Sequence, residues 1–182
     1  MDANKQSTKR HKHYRKPLRL KNYDYSTAGF YYVTLCTKNK IAYFGEIIAE
    51  KMILNDFGKI AEYYWRQIAE YYEHIVLDEF IIMPNHIHGI IIICDDIMTG
   101  RCPVTTNSAI DEVRYGMLSK VVNSYKGIVT KTINKTNANT HFAWQRSFYD
   151  HIIRNDDSLA KIREYIRDNP LKWDLDKYYI QG

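Results

Sequence analysis

Three cysteines, four prolines and eight glycines stand in 182 residues. An odd, unpaired set of thiols (Cys36, Cys94, Cys102) shows no zinc-ribbon spacing and favours free thiols in a reducing cytosol over a disulfide frame. Few prolines and glycines exclude collagen-like or low-complexity chains. Long apolar runs are also lacking. Ile81–Cys94, at 14 residues, is broken by Pro84, Asn85 and two histidines, short of the ~18 that a membrane helix requires. The basic N-terminus lacks the apolar stretch of a secretory signal. A cytoplasmic protein of one domain is the expectation, with length enough for a real core.

What is present is tyrosine, sixteen of them, and an uneven charge. Residues 1–21 hold eight Lys/Arg and one acid, a net of +7, so the rest of the chain carries −2. This divides the chain into a flexible basic arm over 1–22 and a domain over 23–182. Such an arm is either a solvated terminus or a segment that seeks phosphate, since Lys/Arg clusters displace counterions from nucleic acid. Lys9, Arg10, Lys12, Arg15 and Lys16 are its candidate contacts.

Periodicity sets the elements. "GFYYVTLCTKN" (29–39) alternates and is rich in aromatic and β-branched residues, so it is predicted as a strand. A small hairpin follows over 43–55. A helix over 56–73 has Asn55 or Asp56 as its cap. "HIVLDEFIIM" (74–83) is a strand, Pro84–Asn85 a turn, and "HIHGIIIIC" (86–94) a third strand. Residues 95–110 read as a loop and 111–134 as a second helix. A fourth strand is expected over 141–154 and a last helix over 155–170, stopped by Pro170. Strand, helix, strand hairpin, helix, strand is the α+β ferredoxin-like pattern. Its antiparallel sheet has helices on one face, and the extra C-terminal helix is added to it.

Chemistry concentrates in "MPNHIHGIIII" (83–93). Residues i and i+2 of a strand share a face, so His86 and His88 project together, close enough for one divalent cation. A pair of satisfied core histidines is the competing reading. On the last helix, at 100° per residue with Tyr165 at zero, Asn169 falls at about 40°, Ile162 at about 60°, Ile166 at about 100° and Leu159 at about 120°. Tyr165 and Asn169 therefore flank the apolar stripe that must face the sheet, with Lys161 on the other side of Tyr165. An edge-of-core aromatic and a helix cap would account for the same two positions. Lys126, Arg146, Lys161 and Arg163 are positioned to follow a phosphate backbone, or are solvated surface charges.

These residues carry a resemblance. "MPNHIHGIIII" resembles the histidine–hydrophobic–histidine (HUH) motif of the single-tyrosine, IS200-like transposases. "WQRSFYDHIIRNDDSLAKIREYIRDNPLKW" (144–173), "YDYSTAGFYYVTLCT" (23–37) and "LNDFGKIAEYYW" (54–65) are similar to the REP-associated tyrosine transposase branch. The match spans Leu18 to Trp173. It implies a metal pair in His86 and His88, a catalytic Tyr165, and a third ligand in Asn169, where the insertion-sequence branch often carries Gln. It also implies Mg²⁺ or Mn²⁺ as cofactor and hairpin-bearing single-stranded DNA as substrate. Cleavage and rejoining would pass through a 5′-phosphotyrosine, in a nucleoid-associated monomer or homodimer whose basic arm grips the hairpin. Two other classes stay open on the residues alone. One is a non-catalytic nucleic-acid module presenting Phe30 and Tyr31 to bases. The other is a metal phosphodiesterase that activates water. Tyr149, two residues before His151 on one strand face, is the alternative nucleophile.

Overall fold

A computed structural model of the chain describes residues 28–94, 116–137 and 139–179. The basic arm with Lys9, Arg10, Lys12, Arg15 and Lys16, and the loop expected over 95–110, lie outside the described residues. The elements are β1 (Gly29–Cys36), a hairpin of β2 (Gly45–Ile48) and β3 (Lys51–Leu54), α1 (Asp56–Arg66), α2 (Ile68–Tyr71), β4 (Ile75–Met83), β5 (His86–Ile93), α3 (Met117–Thr136), β6 (Tyr149–Ile153) and α4 (Asp156–Asp168). A 3₁₀ segment, Pro170–Leu175, follows α4.

The main sheet has the order β4-β5-β1-β6 with every neighbouring pair antiparallel. That is the ferredoxin-like sheet expected from the order of elements. Strand parity divides its residues between two cores. Tyr31, Val33 and Leu35 of β1 and Ile87, Ile91 and Ile93 of β5 pack with α1 and α3. Tyr32 of β1, Ile90 and Ile92 of β5 and Ile153 of β6 pack on the other side with Leu159 and Ile166 of α4. β5 is central and covered on both faces, which is why it is buried at every position and runs as unbroken isoleucine over its second half rather than alternating. Burial of Leu159 and Ile166 contributes roughly 2 kcal/mol each to holding α4 on the sheet.

Side chains cap both helices that the sequence marks. The Asn55 side chain accepts from the Gly58 N–H at 3.0 Å, and Asn155 from Ser158 at 2.8 Å. The helix expected over 56–73 is split at Gln67 into α1 and α2. The first core closes around Trp65, which stacks on Phe80 (5.8 Å between centroids) and meets Tyr125 of α3 edge-on at 5.2 Å. The Tyr125 hydroxyl donates to the Ala61 carbonyl at 2.9 Å. Gly89 of β5 lies directly under the Trp65 ring, and a Cβ there would run into it and lie 3.1 Å from the Phe80 Cβ. Gly89→Ala is therefore expected to cost about 1–3 kcal/mol through overpacking. Chemical denaturation of the two proteins checks this, and an unchanged midpoint would contradict it.

Two sequence expectations need correction. The strand predicted over 141–154 is formed only over Tyr149–Ile153. Its first half is irregular, with a single bridge between Trp144 and Thr37. Phe142 and Trp144 plug the core against Phe44 instead of alternating. The Asn134 side chain brackets Phe142, donating to its carbonyl and accepting from its N–H. The cysteines also differ from the expectation of three free thiols. Cys36 is free and buried, but Cys94 is disulfide-bonded. An odd count does not determine which thiols a fold brings together.

Ion pairs pin α4 to the sheet edge. A β-bulge between Leu77 and Phe80 of β4 falls at Asp78 and Glu79. Arg163 Nε donates to Asp78 Oδ1 at 2.9 Å, and Arg167 reaches Glu79 at 3.2 Å. Burial alone would raise the Asp78 pKa. The Arg163 hydrogen bond, the Glu79 N–H and the Arg163 charge outweigh it, and the carboxyl sits below its ordinary range. A carboxylate with a depressed folded pKa stabilises above its unfolded pKa, near 3.9, and that contribution is lost as pH falls through the lower folded value. Arg163→Ala is expected to lower Tm modestly at pH 7. The gap from wild type should narrow below about pH 4. A gap of constant size down to pH 2 would contradict the pairing.

Candidate metal and tyrosine site

The turn Pro84–Asn85 delivers both histidines to the face of the sheet that α4 covers. Each is fully buried. Their Nε2 atoms face each other at 3.0 Å. Two nitrogens on adjacent positions of one cation, with bonds of about 2.1 Å, would stand about 3 Å apart.

The outer nitrogens determine which tautomers are available. The Asn85 amide nitrogen donates to the carbonyls of Lys40 (3.0 Å) and Tyr178 (2.9 Å), so its oxygen is the atom turned toward His86 Nδ1, at 2.8 Å. His86 Nδ1 must donate, which leaves Nε2 with a bare lone pair. His88 Nδ1 lies 2.7 Å from the Tyr32 hydroxyl and 2.9 Å from the Thr34 hydroxyl. Hydroxyls donate or accept, so they support His88 whether its Nε2 carries a proton toward His86 or a lone pair toward a cation.

Electrostatics keeps the pair neutral. Burial pulls His86 down to about 4, with Asp176 opposing and Lys177 and Lys40 assisting. Burial also takes His88 well below its usual value, helped by its neighbour His86. Both imidazoles thus remain unprotonated, the ligand form, across neutral and mildly acid pH.

α4 brings the remaining groups. The Tyr165 hydroxyl is 3.3 Å from His88 Nε2, with the two rings 5.3 Å apart. Burial raises the Tyr165 pKa, and the Asp176 charge raises it further. Asn169 and Tyr32 beside it pull the other way. Asn169 is the C-cap residue of α4 and is buried. Its amide nitrogen donates to Asp176 Oδ2 at 3.1 Å, while its Oδ1 is buried without a hydrogen-bond partner. A buried carbonyl oxygen left unpaired is costly, and it has the donor chemistry that a hard divalent cation takes. His86, His88 and Asp176 also offer one atom each within 4.8 Å of one another, two buried imidazoles and a half-buried carboxylate that could bind a metal. The donor set, two neutral imidazoles with oxygen donors, fits such a cation.

Several participants were not singled out in the sequence. Asp176 follows the 3₁₀ segment and returns to the site because Asn85 grips the Tyr178 carbonyl and Lys40 Nζ donates to that of Lys177 at 2.8 Å. Tyr178 and Trp173 lie over the His86 ring at 4.6 and 5.9 Å. Tyr32 and Thr34 could have been read from β1, since they share its parity with the register partner of His88. A cavity of about 490 Å³ opens beside this cluster, lined by Tyr32, Tyr149, Tyr165, Asn169, Asp176 and Lys177 among others.

The basic candidates are dispersed. Lys161 and Arg146 are exposed, on α4 and in the bend before β6. Arg163 is engaged by Asp78. Lys126 donates to the Gln145 carbonyl at 2.6 Å, and burial lowers its pKa. Tyr31 is fully buried beneath the helices and Phe30 packs in the α4 core, so neither forms an open platform for bases. Tyr149 contacts Tyr32 (6.3 Å), one ring further from the histidines than Tyr165.

The fold is shared with a REP-associated tyrosine transposase whose structure was determined with a REP hairpin bound. The TM-score is 0.50 at 14% identity, over 87% of this chain and 76% of that one. By sequence, the chain is 38% identical over 172 residues to an uncharacterized protein of Haemophilus influenzae, spanning 92% of this chain and 94% of the relative. It belongs to the same family as that protein. No family model matches the sequence. Among the described residues, no helix is long and apolar enough to cross a membrane.

Proposed function

We propose that this chain is a single-tyrosine DNA strand transferase that cleaves and rejoins hairpin-bearing single-stranded DNA, with Tyr165 as its nucleophile. The observation that carries the reading is the Tyr165 hydroxyl 3.3 Å from His88 Nε2, beside paired imidazoles and the unpartnered Asn169 oxygen. His86, His88 and an oxygen from Asn169 or Asp176 would hold Mg²⁺ or Mn²⁺. Bound there, the ion supplies Lewis-acid polarisation of a phosphoryl oxygen.

Tyr165 Oη forms the bond to phosphorus and displaces the 3′ oxygen, which leaves as a 3′-hydroxyl. The 5′ phosphate stays on the tyrosine, so the phosphodiester is exchanged rather than hydrolysed. A 3′-hydroxyl can reverse the step and join strands. A phenol with a raised pKa is almost wholly protonated at neutral pH. Unassisted attack is therefore slow, and a charge-stabilising site beside it is what the reaction requires. The fold relationship to the hairpin-bound transposase supports DNA of that kind as substrate.

The test is a denaturing gel with end-labelled oligonucleotides and Mg²⁺ or Mn²⁺. A hairpin with single-stranded flanks should be cut and leave a protein-linked fragment. The same sequence as a perfect duplex should remain intact, because a base held in the duplex stack is not free to splay into the cavity beside Tyr165. Equal cutting of both forms, or cutting without a protein-linked fragment, would replace this reading with a phosphodiesterase that activates water.

A further inference from the structure

The cavity beside Tyr165 has a second aromatic wall that the proposed chemistry does not use. Tyr149 opens β6, on the face that α4 covers, and is 40% exposed although it stands at the mouth of a buried site. Its ring meets Tyr32 edge-on at 6.3 Å, and Tyr32 in turn meets Tyr165 edge-on at 6.3 Å. Tyr32 and Tyr165 both pack on His88, at 5.4 and 5.3 Å, and Tyr149 stands one ring further out, against Tyr32. Among the described residues, the Tyr149 hydroxyl makes no hydrogen bond, so the ring rather than the hydroxyl is held in place.

A cation stands at the same wall. Lys177 Nζ lies 5.6 Å from the Tyr149 ring centre and 4.9 Å from that of Tyr178. Among the described residues, it has no carboxylate partner. Asp176 next to it is engaged by Asn169 Nδ2 and by the Tyr178 N–H. Lys172, also on the cavity wall, is paired with Asp168 at 3.3 Å. The backbone under Lys177 is anchored through its own carbonyl by Lys40. Lys177 is exposed beside these rings, so its ammonium is open to an anionic oxygen, a stronger partner than an aromatic face.

We propose that this cavity takes one unpaired nucleotide adjoining the reacting phosphate, its base stacked on Tyr149 and its own phosphate paired with Lys177. An exposed ring beside a cation is the arrangement by which proteins hold single strands without reading sequence, since every base has a face to stack. A volume of about 490 Å³ is within the range of small-ligand sites. The arrangement would position the strand across Tyr165 instead of leaving the phosphate to arrive alone. This inference rests on the DNA-strand reading above, but its test reads binding and not cleavage.

The probe is a thymidine oligonucleotide with one central 2-aminopurine, mixed with the full chain in EDTA. Wild type should quench the fluorescence. Tyr165→Phe should quench equally, because it lacks only the nucleophilic oxygen. Tyr149→Phe should also quench, because stacking uses the ring. Tyr149→Ala should lose the quench and weaken binding about tenfold. Lys177→Gln should weaken binding and reduce the salt dependence of log K by about 0.7, one phosphate contact on a single strand. An unchanged quench in Tyr149→Ala, an unchanged salt slope in Lys177→Gln, or no binding of the probe by wild type would each overturn the proposal. Loss of the protein-linked DNA in Tyr149→Phe would also overturn it, since the hydroxyl would then be the working group. Absence of that product in wild type with quenching intact would instead overturn the nucleophile and leave the subsite standing.

Discussion

Tyr165→Phe is expected to abolish covalent attachment to DNA and to reduce strand cleavage by about 10⁴-fold or more, while hairpin affinity stays near wild type. The substitution removes one oxygen from a ring that packs against His88 and Tyr32, so the fold should be unaffected. The Tyr165 hydroxyl contacts His88 Nε2 at 3.3 Å and also interacts with Asn169, Tyr32 and Asp176, so its loss should cost on the order of 1 kcal/mol of stability. Tyr149→Phe provides the control, and it should still form the adduct. A gel-shift titration beside a denaturing gel separates binding from chemistry. Cleavage that persists in Tyr165→Phe at more than about a hundredth of the wild-type rate would remove Tyr165 from the nucleophile's place.

The second large effect is expected at the histidines. His86→Ala and His88→Ala should each lower cleavage at least about 100-fold and abolish its dependence on added Mn²⁺. DNA binding should survive, because the fully buried, neutral imidazoles supply no charge to a phosphate backbone. EDTA should reproduce the effect in wild type. Mn²⁺ affinity, rather than cleavage, should hold as pH falls from 7 toward 5, because burial keeps His86 neutral down to about 4 and His88 well below its ordinary value. A histidine of ordinary pKa would lose ligation near pH 6.5. Isothermal titration of Mn²⁺ into Asn169→Ala and Asp176→Ala identifies the oxygen donor, as the variant that loses affinity more. Full cleavage in EDTA would contradict the metal's role.

The legible parts of the molecule were those governed by local period. The i, i+2 relation of His86 and His88 and the one-turn relation of Tyr165 and Asn169 are properties of a strand and a helix. With α4 packed over the face of β5 that carries the histidines, Tyr165 comes against His88. The order of elements likewise led to the ferredoxin-like sheet, because the split βαβ pattern leaves few topologies. Asp176 was not legible. It lies past the helix stop, in a segment whose path depends on the Asn85 amide holding Tyr178 from 93 positions away. The fourth strand was read too long for a similar reason. Phe142 and Trp144 have strand-like composition, but the space between α3 and the hairpin takes their rings into the core, and Asn134 supplies the hydrogen bonds that a neighbouring strand would have made. Lys126 and Arg163 show the limit for charge. Both were readable as phosphate contacts, and only their partners, the Gln145 carbonyl and Asp78, reveal that they also hold the fold.

In the proposed reaction one tyrosine, held beside the histidine pair, carries the DNA strand. The most direct measurement is peptide-level mass spectrometry of the full chain trapped on a hairpin oligonucleotide with Mn²⁺, after nuclease digestion to a residual nucleotide. The account requires the added mass on the peptide containing Tyr165, linked through a 5′ phosphate. A nucleotide on the Tyr149 peptide would move the reaction to β6, and cleaved DNA with no modified tyrosine would contradict the account altogether.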